Sequence, residues 1–154
     1  MILDSRNEFA DAVALNTGAA GTYLIGSQID LGAGDKPIGA TDCVYVVLTV
    51  DTGITVASST GTVQFILASD STASIATDGS ATQHMMTKAW ATSTTAIAAG
   101  TVLGVFELPP GFTYERYLGI LQVTGTTAVN AGKINAFLTY DPALWAAYDS
   151  PSHI

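Results

Sequence analysis

Few side chains in this sequence are equipped for chemistry, and their spacing does not bring them together. The chain has two histidines and one cysteine. His84 lies in Gln83-His84-Met85-Met86, with no acid beside it to orient an imidazole, and reads as a packed or solvated strand residue rather than a general base. His153 falls in the tail. Cys43 opens an apolar run and reads as a small hydrophobe. A thiolate nucleophile needs a neighbouring base or a helix N-terminus, and neither is in view. Asp70-Ser71-Thr72 and Asp78-Gly79-Ser80 contain calcium-type ligands. Calcium asks for about six to eight oxygens, so the stretch reads as a solvated loop. Glu107 and Glu115 flank Pro109-Pro110-Gly111, but a glycosidase pair must face across a cleft. Glu115 beside Arg116 reads as a surface ion pair worth at most ~1 kcal/mol. No nucleophile elbow, phosphate loop, zinc-protease helix or EF-hand loop occurs. The expectation is no catalytic residue, no metal and no cofactor.

Composition narrows the partners. The chain has 154 residues and a mass of 15.8 kDa, one domain's worth. Hydrophobic residues make up 48% and charged residues 12%, too apolar for disorder. Five Lys and Arg against 13 Asp and Glu give a net charge of −8 and a pI near 4.2. Phosphate binding needs a basic footprint, so no nucleic-acid partner is expected, and no anionic membrane surface for the same reason. One cysteine excludes an internal disulfide. No apolar run approaches the roughly 20 residues of a membrane span, and the start has no basic and apolar leader pattern. Folding in a cytosol is the expectation.

The elements that would position these residues are strands. Residues 1–16 read as a short helix or an extended arm, ending at Asn16-Thr17-Gly18. Beyond them the period is two and β-branched residues dominate. Strand candidates are Tyr23–Leu31, with Gly26 hinting at a bulge, and Cys43–Val50, ended by Asp51-Thr52-Gly53. Thr62–Ala68, Gln83–Trp90, Thr94–Ile97, Thr101–Leu108, Tyr114–Thr124 and Lys133–Tyr140 follow, with Ser69–Ser80 and Gly125–Gly132 as loops. About seven or eight strands separated by turns predict an all-β fold, an antiparallel sandwich or barrel over residues 17–141. The predicted core is Val44, Val46, Leu48, Phe65, Leu67, Val105, Leu118, Ile120, Phe137 and Leu138. Residues 142–154 form a tail without strand pattern. Val44–Val50 and Tyr117–Val123 are apolar on both faces and must be covered on both, by the chain itself or by a neighbour. Self-association as a homodimer or homotrimer is therefore expected.

The aromatics allow two readings. Trp90, Trp145, Tyr114, Tyr117, Tyr140 and Tyr148 could line a sugar platform, as in a soluble carbohydrate-binding or adhesin-like sandwich, or anchor the core and protein contacts. Low charge and small-residue loops favour contacts. Phe9 in the first segment, Trp90, and Trp145 and Tyr148 in the tail are the partner-contact candidates.

The order of motifs adds a resemblance. Leu108-Pro109-Pro110-Gly111 precedes Arg116-Tyr117-Leu118-Gly119-Ile120; Val123-Thr124-Gly125-Thr126-Thr127 leads to Ala131-Gly132-Lys133-Ile134-Asn135-Ala136-Phe137-Leu138. Met1-Ile2-Leu3-Asp4, Asn7–Ala12, Ile29-Asp30-Leu31-Gly32 and Val44–Asp51 match in the same order. This arrangement resembles the phage capsid cement proteins of the Bbp16 type, from residue 1 to about 141, with 69–100 poorly matched and the tail unmatched. The resemblance implies a jelly-roll β-sandwich with extended ends on the capsid exterior of a tailed-phage virion. Its partners would be the major capsid protein and further copies of itself, it would have no enzymatic activity, and it would be made in the host cytoplasm.

Overall fold

A computed structural model describes residues 4–33, 38, 43–56, 60–91 and 96–143. Strands β1 (Glu8–Ala14), β2 (Gly21–Asp30), β3 (Tyr45–Val56), β4 (Thr62–Asp70), β5 (Thr82–Met86), β6 (Trp90–Ala91), β7 (Val102–Glu107), β8 (Tyr117–Gly125) and β9 (Val129–Thr139) form two antiparallel sheets. The first has the order β1-β9-β3-β7; the second has β2-β8-β4-β5, with β6 also paired to β4. Both ladders interleave early and late strands, which is jelly-roll topology. The expected all-β jelly-roll sandwich is what forms. Among the described residues the helical element is one 3-10 turn, Ser5–Asn7, where Asp4 Oδ1 accepts from the Arg6 amide at 3.0 Å.

One core fills the space between the sheets. Val44, Val46, Leu48 and Val50 from the β3 segment meet Val63, Phe65 and Leu67 from β4 and Leu118 and Ile120 from β8. Period two puts these side chains on the inner faces. Gln122 is buried on the same face and fully satisfied. Its Oε1 accepts from the Asn16 amide, and its Nε2 donates to the Asn16 carbonyl and to Thr124 Oγ1. This tie fixes the crossing from β1 to β2.

Several boundaries differ from the sequence reading, each through a bulge. Residues 8–14 are neither a helix nor a free arm: they form an edge strand on β9, with register shifts on both sides of Ala10. Ala12 has φ +48° and its amide donates to Asn135 Oδ1 at 2.6 Å. That irregularity breaks the alternation, so Phe9, Ala10 and Leu15 are all buried although their spacing is not two. Likewise β3 runs past Asp51-Thr52-Gly53, absorbing the turn-like residues in register shifts, and Ile54 beyond them is fully buried. The β8–β9 loop is shorter than expected because Thr126 adopts φ +66° and β9 starts at Val129. The expected bulge in β2 is present: Gly26 has φ +71°, and a side chain there would collide with the Phe9 carbonyl.

The predicted core needs two corrections. Val105 is 40% exposed, because its pairing with Val47 puts it on the outer face of β7, while Leu103 and Phe106 turn inward around a register shift. Phe137 is buried but pairs with the same Val47, on the outer face, whereas Leu138 packs against the core.

This assignment fixes two stabilities. Phe65→Ala should cost about 3–5 kcal/mol in urea unfolding, whereas Val105→Thr should stay within about 0.5 kcal/mol. Equal losses would contradict the register of β7.

Candidate functional site

The side chains with chemical potential gather at one end of the second sheet. Ser69 closes β4 and His84 lies on β5, fifteen residues later. Strand pairing brings Ser69 Oγ to 2.7 Å from His84 Nε2. The His84 ring lies against buried Tyr114, with centroids 4.3 Å apart. Glu115 closes the group: its amide donates to Ser69 Oγ at 3.2 Å, and its Oε1 accepts from Thr82 Oγ1 at 2.7 Å. Burial lowers the His84 pKa below its ordinary value, and the field of Glu115 opposes this.

A serine, a histidine and an acid in one cluster invite comparison with a nucleophilic triad. The geometry is structural instead. Ser69 is fully buried and its hydroxyl is engaged on both sides, sharing a hydrogen bond with His84 Nε2 and accepting from the Glu115 amide. Sequence reasoning missed this group because its members are far apart in the chain. The Tyr114 hydroxyl is buried without a hydrogen-bond partner among the described residues, and burial raises its pKa.

The aspartates read as possible calcium ligands hold their own loop. Asp70 Oδ2 accepts from the Ala76 amide at 3.0 Å, and Oδ1 accepts from the amide and hydroxyl of Thr72 at 3.1 and 3.3 Å. Donation from the Ala76 and Thr72 amides lowers the Asp70 pKa. Asp78 Oδ1 accepts from the Ser80 amide and hydroxyl. No cluster of metal-ligating side chains occurs among the described residues. Nor is the loop simply solvated. Ile75 is 2% exposed and, with Ala81, packs on Ile66, Ala68 and Leu121, the outer face of the second sheet. Gly119 gives it room, since a side chain there would run into the Ile75 Cδ1. The chain thus covers the second apolar face of β8 itself.

Arg116 pairs with Asp30 rather than with Glu115. Its Nε and Nη2 reach the two carboxylate oxygens at 3.0 and 2.9 Å. Glu115 instead accepts from the Thr82 hydroxyl, so the two neighbouring charges serve different partners. The Arg116 hydrogen bond, with the Gly32 amide, lowers the Asp30 pKa to about 2.

An apolar cavity of about 190 Å³ opens at one end of the sandwich, lined by Ile29, Leu31, Ile38, Val44 and Leu138, with Asn7, Thr139 and Tyr140 at its polar parts. It holds no acid or histidine among the described residues.

The contact candidates separate. Phe9 is 1% exposed and belongs to the core, so it is not a surface contact in the folded chain. Trp90 is half-buried against the core, with Lys88 Nζ 3.9 Å from its ring centroid and its Nε1 buried without a partner among the described residues. Trp145 and Tyr148 lie outside the described residues. Cys43 is exposed, not packed inward. The described aromatics do not converge on one platform: Tyr114 is in the core, Tyr117 lies under Arg116, and Tyr140 projects from the end of β9. The large apolar side chains exposed among the described residues are Met86, Val102, Val105, Phe112 and Tyr140.

The family model described as Bbp16 matches residues 9–138, nearly the whole sandwich. No curated protein matches the chain.

Two outcomes follow from the side-chain geometry. Asp70→Ala should release the 71–81 loop, lower stability by about 1–3 kcal/mol and increase binding of an apolar dye; unchanged dye binding would show that Ile75 holds its place without the carboxylate. His84 gives a pH effect of defined sign. Its folded pKa lies below 6.5, so its contribution is intact above that value. It is lost as pH falls, when the unfolded chain takes up the proton first. The melting temperature should drop as pH falls below 6.5, and less so in His84→Gln.

Proposed function

The chain belongs to the Bbp16 family, and on that premise we propose that it is a cement, or decoration, protein on the capsid exterior of a tailed-phage virion. The name of the family is a phage-associated one. The observation that carries the reading is this match across residues 9–138, on a jelly roll whose chemically able side chains are engaged in its own structure. The partner in this reading is the major capsid protein. A homodimer or homotrimer remains part of the proposal, with copies meeting at neighbouring shell positions. The apolar faces that suggested self-association are, for β8, covered within the chain by Ile75, so any contact between copies uses other surfaces.

The physical role is mechanical. Packed DNA pulls shell subunits apart tangentially. A rigid sandwich seated across two of them adds contacts that must break before they separate. Specific attachment takes interfaces of about 1,200–2,000 Å², and repetition over the lattice raises the effective concentration of neighbouring copies. A charge of −8 suits a basic or polar patch on the shell, so salt should slow attachment more than it lowers final occupancy.

The test mixes the purified chain with expanded, DNA-filled heads that lack it, then heats decorated and bare heads together. Decorated heads should keep their DNA to a higher temperature. Binding without any gain in heat resistance would reject the cement role.

A further inference from the structure

The two sides of the sandwich are unlike. On one, β1 and β2 close against each other, with Gly26 set against the Phe9 carbonyl. On the other, β7 ends the first sheet. The Leu108 amide donates to the Val44 carbonyl at 2.7 Å, and Phe106 and Gly104 stand opposite Val46 and Leu48. In an antiparallel ladder the bonding residues alternate, so residues 104, 106 and 108 face β3. The backbone groups of Val105 and Glu107 therefore point away from β3, and among the described residues no strand pairs with them on that side.

Natural edge strands are usually blunted by lysine, proline or a covering segment. Strand β7, VLGVFE, carries neither lysine nor proline. Its outer face presents Val102 and Val105, 42% and 40% exposed, and the turn beyond it presents Phe112 at 58%. Its one charge is Glu107, and the one ion pair among the described residues, Arg116–Asp30, lies elsewhere. Glu107 stands opposite Tyr45 on β3, and its charge raises the Tyr45 pKa.

We propose that the free edge of β7 is a strand-addition site for an extended segment of a shell subunit, apolar beside Val102 and Val105 and basic beside Glu107. This rests on the capsid reading above and names the surface that serves it. Main-chain hydrogen bonds to Val105 and Glu107 would supply affinity, and the alternate side chains would supply selectivity. A second copy fits the edge less well. The register shift at Leu103 turns that side chain inward, so a two-fold pair centred on Val105 loses its alternation within two residues. Each copy would also bring a charge of −8.

Val105→Pro tests the site, because it removes an edge amide and leaves the β3 ladder intact. The full-length protein and V105P are each titrated onto expanded heads lacking the chain, with melting temperatures measured alongside. At equal melting temperature, V105P should bind at least tenfold more weakly. Equal binding by the two overturns the edge site while leaving the capsid reading standing. Failure of the unaltered protein to bind defeats both. If V105P does not fold, hydrogen exchange of the unaltered protein decides: the peptide covering β7 should become protected on heads, and unchanged exchange there overturns the proposal. Sedimentation gives the last outcome. A dimer of the unaltered protein that V105P reduces to a monomer would assign the edge to a second copy and overturn the shell segment.

Discussion

A strand that is apolar on both faces must be covered on both, and in this chain β4 and β8 set that requirement. Their inner faces, with Phe65, Leu67, Leu118 and Ile120, join the first sheet's side chains in one core. Their outer faces carry Ile66, Ala68 and Leu121. Left open, that row would be an adhesive patch on a protein with few charges to keep it soluble. The 71–81 loop folds back over it, hung from the Asp70 carboxylate and plugged by Ile75. The acidic loop is thus a structural part of the sandwich.

Once that face is sealed, the surface left able to bind is decided by subtraction. The β1–β2 side is closed by strand against strand. The outer face of the second sheet is capped. Among the described residues, the large apolar side chains still exposed are Met86 on β5, Val102 and Val105 on β7, and Phe112 and Tyr140 beyond the ends of β7 and β9. The β7 edge offers apolar area beside backbone groups that no other described strand pairs.

Much of this was legible in the sequence where alternation is unbroken. The inner row of β3 and the strands β4 and β8 follow directly from valine, leucine and isoleucine at every second position. The reading failed where a bulge intervenes. At Ala12 the extra residue scrambles the spacing of Phe9, Ala10 and Val13, so the strand resembles a weak helix. In β7 the shift at Leu103 hides which of Val105 and Phe106 faces inward. The Ser69–His84–Glu115 cluster was invisible because its contacts are made between strands and a loop, not between sequence neighbours. The cap did leave a signal. Asp70-Ser71-Thr72 is a local turn pattern, and Ile75 is a lone large apolar residue in a polar stretch.

In the proposed role, one jelly roll bridges neighbouring shell subunits from outside. Electron cryomicroscopy of heads with and without the chain addresses it most directly. The expected result is added density on the outer surface, seated over the seam between two or more subunits and absent from heads lacking the protein. Density confined to the footprint of a single subunit, or lying inside the shell, would contradict it.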